Sequence, residues 1–194
     1  MNAVANVAGI LLAAGRGRRF DPLGARNKLL QPLASGEPVV AASALTLLSV
    51  LPRVIAVVPP QDGGVADALR ALGCEVALCE QADSGMAASL VEAISHSLPQ
   101  ADAWLVALGD MPYVAPSTLR ALLDALDAGA GIAAPVFEGR RGNPVAFGAV
   151  HLPALLALQG EHGARALLKS APVVEVAVDD PGILRDIDTP DDLA

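Results

Sequence analysis

Aromatic side chains and positive charge are both scarce in this sequence. Only 3% of the 194 residues are aromatic although 53% are hydrophobic, so the core must be built from Ala, Val, Leu and Ile. Lysine and arginine total 13 against 21 acidic residues, which gives a net charge of -8. This surplus of negative charge argues against nucleic acid or acidic membranes as partners. No hydrophobic run reaches the length of a membrane-spanning helix.

The sequence also has little cysteine and no pattern that would direct the chain out of the cell. Cys74 and Cys79 fit neither a zinc-binding pattern nor a CxxC redox motif, so we interpret them as buried thiols in a reducing cytoplasm. The apolar stretch 4–12 is short, follows no basic region and runs directly into a loop rich in glycine and arginine, which does not fit a signal peptide. We therefore expect a soluble cytoplasmic protein.

Short β-branched runs alternate with longer stretches rich in alanine and leucine along the chain. The pattern predicts strands at 5–12, 53–58, 75–78, 103–108, 132–137, 145–147 and 173–178, and helices at 38–50, 65–72, 86–98, 116–128, 152–158 and 164–169. This alternation predicts one three-layer α/β domain over residues 1–194, with a mostly parallel sheet and helices on both faces. Because ligands bind beyond the carboxyl ends of such strands, we expect one site. It should lie where the loops after Leu12, Leu78, Leu108 and Pro135 converge.

The loop after the first strand, LAAGRGRRFDPLGARNK at 12–28, concentrates the positive charge that is rare elsewhere. Its five cations are Arg16, Arg18, Arg19, Arg26 and Lys28. Gly15 and Gly17 allow a tight turn whose amide groups can face an anion. A nucleoside triphosphate would explain the concentration, because arginine pairs with phosphate oxygens bidentately. The alternative is a solvated basic loop without a ligand.

Two other phosphate-binding motifs are missing from this loop. The dinucleotide fingerprint GxGxxG has Phe20 in place of its third glycine, and no acidic residue ends the second strand. The kinase-type P-loop requires GKS or GKT, and neither occurs in the sequence. The sequence therefore disfavours a dinucleotide-dependent oxidoreductase and a P-loop kinase.

Two later loops carry carboxylates suited to a metal ion. Asp110 in LGDMP follows an apolar strand, where an isolated charge is costly unless it is paired or binds a metal. Asp186 and Asp188 in DIDTP alternate, so we expect them on opposite faces of an extended segment, with one facing the site. Mg²⁺ prefers one or two carboxylates together with substrate phosphates. The alternative for Asp110 is a structural cap of the turn before a proline.

The segment DSGMAASL at 83–90 leads into a predicted helix. Gly85 permits close approach at the helix start, where amide groups point outward, and Asp83 or Ser84 can cap the helix. Ser84 and Ser89 are candidates to bind a ribose or a base. The alternative for Ser89 is a small buried residue of the helix.

Two further loops combine glycine with positive charge. In RRGNPVAF, Arg141 precedes a tight turn at Gly142 and Asn143, and it suits a second phosphorylated ligand. In GEHGARALL, Gly163 and Arg165 lie at a predicted helix start, where an anion can bind. The alternative for the first of these loops is a tight turn that has only a structural role.

Taken in order, these motifs resemble the nucleotidyltransferase family that includes molybdenum cofactor cytidylyltransferase and guanylyltransferase, the MobA-like NTP transferases. The similar segments are LAAGRGRR, NKLL, LGDMP, GNPV, GEHGAR and DIDTPDDL, and they span nearly the whole chain. The resemblance implies a Rossmann-like nucleotidyltransferase fold and dependence on Mg²⁺ bound by Asp110 and Asp188. With the residues discussed above, the expected nucleotide-binding set is Leu12, Ala13, Ala14, Gly15, Gly17, Ser84, Gly85 and Ser89.

Within this family, cytidylyl enzymes resemble LAAG and guanylyl enzymes LAGG, so Ala14 favours CTP. The expected reaction moves CMP from CTP onto a phosphorylated acceptor, molybdopterin or the molybdenum cofactor, and releases pyrophosphate. A molybdoenzyme that receives the product is the protein partner implied. The expected catalytic residues are Arg18, Arg19, Lys28 and Asp110. The expected acceptor-binding residues are Arg141, Gly142, Asn143 and Arg165.

The insertion at 21–27 places Lys28 about four residues further from the arginines than the family pattern does. Lys28 can still reach the phosphates if the insertion bulges outward, and the insertion is also compatible with a different acceptor. Two alternatives to the expected function stay open. One is a related nucleotidyltransferase that uses GTP or accepts a sugar or polyol phosphate. The other is a carrier that delivers the cofactor to a molybdoenzyme without chemistry, although such a carrier does not need two metal-binding carboxylates.

Overall fold

The computed structural model describes residues 6–15, 17, 19–23, 25–161 and 163–193. Its strands are β1 (Val7–Leu12), β2 (Val54–Val58), β3 (Glu75–Leu78), β4 (Ala103–Leu108), β5 (Ile132–Phe137), β6 (Arg140–Arg141), β7 (Val145–Gly148) and β8 (Val174–Ala177). Its helices are α1 (Val39–Leu48), α2 (Val65–Ala71), α3 (Met86–Ser97), α4 (Pro116–Asp127), α5 (Leu152–Leu156) and α6 (Arg165–Ser170). Every predicted element is present, with ends shifted by a residue or two, and the short strand β6 was not predicted.

The strands form one sheet in the order β3-β2-β1-β4-β7-β5-β6, with β8 paired to β5. The four strands from β3 to β4 run parallel, and β8 is parallel to β5. The prediction of a mostly parallel sheet is confirmed, with β7 antiparallel to both of its neighbours. Because β1 and β4 pair in register up to Leu12 and Leu108, the loops that follow them begin side by side.

Helices cover both faces of the sheet, as predicted. Side chains alternate between the faces along a strand, so Leu11 of β1 enters one apolar core and Ile10 enters the other. Helices α1, α2 and α4 pack on the first core, and α3 and α5 pack on the second. Trp104 is fully buried in the second core, where its Nε1 donates a hydrogen bond to Ser97 Oγ at 2.8 Å. Both cores are otherwise mostly aliphatic, in line with the low aromatic content.

Within the described part of the chain, no helix is long and apolar enough to cross a membrane. Cys74 and Cys79 are both free and buried. Burial raises the pKa of the Cys74 thiol to about 11. A thiol that stays protonated in the core is a poor nucleophile, which agrees with our interpretation of these residues as structural.

A buried carboxylate fixes the C-terminal segment to the rest of the fold. Asp180 is 5% exposed, and its Oδ2 accepts hydrogen bonds from Ala115 N at 2.9 Å and Thr118 Oγ1 at 2.6 Å, at the start of α4. Its Oδ1 accepts from Gly182 N at 2.9 Å. The carboxylate therefore anchors the chain just before it reaches Asp188.

We expect Asp180→Ala to lower the free energy of unfolding by about 3 kcal/mol, because it leaves buried donors without acceptors. Urea unfolding followed by circular dichroism measures the change. Asp179→Asn is the matched control, since Asp179 is the exposed neighbour and its loss should change stability little. Equal stability of the two variants would show that Asp180 does not anchor the segment.

Candidate active site

A cleft of about 480 Å³ opens beyond the carboxyl ends of β1, β3 and β4. This volume suits a drug-sized or nucleotide-sized ligand. The cleft is lined by Leu12, Ala13, Ala14, Gly15, Lys28, Leu29, Ala82, Asp83, Gly85, Met86, Ser89, Leu108, Asp110 and Glu161. The loops after Leu12, Leu78 and Leu108 therefore meet there, as predicted. The loop after β5 does not contribute any of these lining residues.

Lys28 is the central cation of the cleft. It begins a 3₁₀ turn, Lys28–Leu30, for which the Asn27 side chain accepts a hydrogen bond from Leu29 N. The residue is only 7% exposed, and its Nζ donates to Asp110 Oδ2 at 2.7 Å and to the Ile187 carbonyl at 2.9 Å. A buried ammonium needs such partners, because desolvation without them is costly.

The carboxylates of Asp110, Asp186 and Asp188 form one cluster, in which one oxygen of each lies within 4.8 Å of the others. Two hydrogen bonds of the Ile187 backbone hold the segment 186–188 beside Asp110. Ile187 N donates to the Asp110 carbonyl at 2.8 Å, and the Ile187 carbonyl accepts from Lys28 Nζ. Our prediction that Asp186 and Asp188 point to opposite faces is therefore wrong. The alternation rule applies to strands, and residues 186–188 do not form one.

Two cations balance this carboxylate cluster. Arg19 Nη1 lies 2.6 Å from Asp188 Oδ2, and Lys28 Nζ lies 3.7 Å from Asp188 Oδ1. Partial burial raises the pKa of Asp186, and the charges of Asp188 and Asp110 raise it further. Carboxylate oxygens are the ligands that hard divalent cations prefer, so the donor set fits a metal of this kind.

The first loop lines the cleft through its LAAG start, residues 12–15. Gly17 has a φ of 58° and lies against the side chain of Lys28, where a Cβ atom would be 3.2 Å from Lys28 Cγ. Arg16 and Arg18 fall outside the described residues. The only arginine of LAAGRGRR that the structure describes, Arg19, contacts Asp188.

The insertion after these arginines leaves Lys28 in the cleft. Phe20 is buried and anchors its start, and the Arg26 guanidinium lies 5.5 Å from the centre of the Phe20 ring. Asp21 accepts backbone hydrogen bonds from Leu23 and Arg26, while the Leu23 side chain is 92% exposed. The insertion therefore exposes Leu23 to solvent, and Lys28 after it still lines the cleft, as expected for an insertion that bulges outward.

Of the predicted nucleotide-binding residues at 83–90, Gly85 before α3 and Ser89 within it line the cleft, and Ser84 does not. Ser84 Oγ donates to the Gln81 carbonyl at 2.7 Å, within a 3₁₀ turn. Gly85 is the N-cap residue of α3, so the predicted cap at Asp83 or Ser84 is wrong. Ser89 is 3% exposed, so its small size also serves the packing of the helix.

The four residues expected to bind the acceptor are not among the described residues that line the cleft. Arg141 Nη2 pairs with Glu175 Oε1 at 2.6 Å, and Gly142 packs against the Ile183 backbone. Asn143 lines a small neighbouring pocket that shares Leu108 with the cleft. Arg165 is exposed at the start of α6.

Glu161 lines the cleft but was not predicted as a site residue, and the same is true of Leu29, Ala82, Asp83, Met86 and Leu108. Glu161 lies in the segment GEHGAR, in which Gly163 and Arg165 were the predicted site residues. The charge pattern of the segment could have indicated Glu161, because a carboxylate is unexpected next to a predicted anion-binding site.

The sequence matches the MobA-like NTP transferase domain over residues 9–176. The purine catabolism protein PucB of Bacillus subtilis (strain 168) is 31% identical over 95% of this chain and 92% of PucB. The crystal structure of Rv0371c from Mycobacterium tuberculosis H37Rv has a TM-score of 0.84 and 30% identity, over 98% of this chain and 96% of that chain.

A nucleotidyl transferase from Methanothermobacter thermautotroptrophicus, Mth528, is also similar, with a TM-score of 0.78 and 27% identity over 96% of this chain and 93% of that chain. The domain match covers most of the chain, and PucB is similar over nearly its full length. The chain therefore belongs to the MobA-like NTP transferase family, and it is a nucleotidyltransferase with the Rossmann-like fold of that family.

Proposed function

We propose that this protein is a cytoplasmic cytidylyltransferase that moves CMP from CTP onto the terminal phosphate of the molybdenum cofactor and releases pyrophosphate. The observation that carries the proposal is the meeting of Lys28 with Asp110 and Asp188 at a cleft whose wall is the LAAG segment, 12–15. Cations for a triphosphate and carboxylates for a metal thus lie beside the segment that the family resemblance gives to the nucleoside.

A divalent metal is supported by the cluster of three carboxylates and by the manganese complex of the similar protein Rv0371c, which has a TM-score of 0.78. We propose Mg²⁺, held by Asp110 and Asp188, with Asp186 beside them. When bound, it would neutralise charge on the α- and β-phosphates.

The protein's own residues then contribute position and charge. The attacking phosphate oxygen of the acceptor is already anionic, so the reaction does not require a general base. Lys28 and Arg19 would stabilise the negative charge of the departing pyrophosphate, and Arg18 would join them. Rate enhancement would come mainly from holding the two phosphates in line in a cleft that shields them from water.

The choice of CTP rests on Ala14, which lines the cleft and is half-buried. A methyl group at this position narrows the space for a base, which favours a pyrimidine over the larger purine. Gly15 and Ser89 also line the cleft, and they would contact the bound nucleoside triphosphate.

The proposed acceptor and the residues that bind it rest on the family resemblance and on one feature of the structure. Asn143 lines a pocket that adjoins the cleft through Leu108, so the turn after β6 lies near enough to orient an acceptor. We assign Arg141, Gly142 and Arg165 to acceptor binding on the family resemblance alone. A molybdoenzyme would receive the product.

Calorimetric titration of the purified protein with CTP, GTP and ATP, each with and without Mg²⁺, tests the nucleotide. We expect CTP to bind at least about tenfold more tightly than the purine triphosphates, and to require Mg²⁺. A preference for GTP would retain the family reaction and contradict the role of Ala14. If no triphosphate binds, the transferase proposal fails, and tight binding of molybdopterin alone would then identify a carrier.

A further inference from the structure

Glu161 places a negative charge in the wall of a cleft that also contains Lys28. Lys28 is committed to Asp110 and the Ile187 carbonyl. Glu161 is exposed and makes no ion pair with any other residue in the described ranges. A carboxylate repels phosphate, so its part of the cleft is suited to the uncharged portion of a ligand.

The backbone around Glu161 is fixed tightly to the start of α3. The Gly160 carbonyl accepts a hydrogen bond from Ala87 N at 3.2 Å. Gly85 makes the approach possible, because a Cβ atom there would lie 2.5 Å from the Gly160 oxygen and 2.8 Å from Glu161 Cα. Gly163 packs against Met86 in the same way, with a Cβ position 3.1 Å from Met86 Sδ. The segment that carries Glu161 is thus held by two close contacts, one with the backbone at Gly85 and one with the Met86 side chain.

This contact changes what the start of α3 offers to a ligand. The amide of Ala87, which would otherwise point toward an anion, is already satisfied by the Gly160 carbonyl. Among the described residues, Gly160 and Glu161 are the ones that lie close to Gly85. The charges of the cleft are therefore divided, with Lys28 beside Asp110 and the carboxylate of Glu161 near the start of α3.

We propose that Glu161 is a specificity residue whose carboxylate accepts a hydrogen bond from an N–H or O–H group of the bound nucleoside. The inference rests on the proposed nucleotidyltransferase function and deepens it. The triphosphate lies toward Lys28 and Arg19, so the nucleoside reaches the part of the cleft bounded by Gly85 and Ser89. The donor is either a ribose hydroxyl or the exocyclic amine of the base, since both present the same chemistry to a carboxylate.

Comparison of Glu161→Ala with the wild-type protein across a set of nucleotides tests this role. The set is CTP, 2′-deoxy-CTP, 3′-deoxy-CTP and UTP. CTP carries all three candidate donors, each deoxy analogue lacks one ribose hydroxyl, and UTP lacks the exocyclic amine. We expect Glu161→Ala to weaken CTP binding about tenfold, with Mg²⁺ present. The analogue without the contacted donor should bind equally to both proteins, and its identity names the donor.

Glu161→Gln retains an acceptor oxygen and should keep part of the discrimination. Glu37→Ala is the matched control for charge, because Glu37 is exposed and is not among the described residues of the cleft. If Glu161→Ala weakens all four nucleotides by one factor, or none of them, the proposal is wrong.

The result also separates this inference from the function on which it rests. Wild-type protein that binds GTP instead of CTP calls for the same comparison with 2′-deoxy-GTP, 3′-deoxy-GTP and ITP, and the role of Glu161 is then judged on that set. Wild-type protein that binds no triphosphate contradicts the proposed function, and the role of Glu161 falls with it.

Discussion

Asp110→Asn is expected to lower kcat by about a thousandfold or more while the protein remains folded. Asp110 lies two residues after the end of β4, beside the loop that follows β1, and its carboxylate belongs to the three-carboxylate cluster. The amide removes one anionic metal ligand but keeps an oxygen that can accept from Lys28. It also relieves repulsion within the cluster, so we expect the melting temperature to change by only about 3 °C.

The measurement is the rate of pyrophosphate release from CTP with the acceptor, alongside thermal unfolding. Asp102→Asn is the matched control, because Asp102 is exposed and lies just before the other end of β4. Its turnover should match that of the wild-type protein. A folded Asp110→Asn variant with near-normal kcat would remove Asp110 from the mechanism.

Lys28→Met should reduce both turnover and stability. Methionine keeps an unbranched chain only one atom shorter than lysine but leaves Asp110, Asp186 and Asp188 without their buried cation. We expect kcat/KM to fall about a hundredfold, because the phosphates lose a fixed positive charge. We also expect the free energy of unfolding to fall by about 2 kcal/mol, because the carboxylates then repel one another without a buried counter-charge.

Divalent metal should restore much of this stability. Mn²⁺ replaces the lost positive charge among the carboxylates, so it should raise the melting temperature of Lys28→Met more than that of the wild-type protein. Lys169→Met is the control, since Lys169 is the other lysine of the chain and is exposed at the end of α6. Unchanged stability of Lys28→Met, with the same response to Mn²⁺ as wild type, would contradict the balancing role of Lys28.

The core of the site was predictable because it lies where parallel strands end. The apolar runs that became β1 and β4 are short and continuous, so the residues after Leu12 and Leu108 had to meet at one edge. The role of Lys28 as a binding residue was predictable from composition, since a cluster of cations in an otherwise acidic chain indicates an anionic ligand. Helix ends were less predictable, because the start of α3 is fixed by the distant Gly160 carbonyl rather than by a local cap.

The features that the sequence did not reveal depend on contacts between distant segments. Asp186 joins the carboxylate cluster because the chain at Ile187 bonds to the backbone at Asp110, and no local periodicity encodes that bond. Asp180 acts as an anchor only because α4 lies beside it. Glu161 enters the cleft only because Gly85 has no side chain to block it.

The most direct test of the proposed function is a turnover assay with CTP, Mg²⁺ and molybdenum cofactor or molybdopterin, in which pyrophosphate and the cytidylylated product are both measured. We predict stoichiometric formation of the two products with CTP, little product with GTP or ATP, and none with Asp110→Asn. Formation of pyrophosphate only with a sugar or polyol phosphate would assign a different acceptor. No pyrophosphate with any acceptor, from a protein that binds the cofactor tightly, would contradict the transferase proposal.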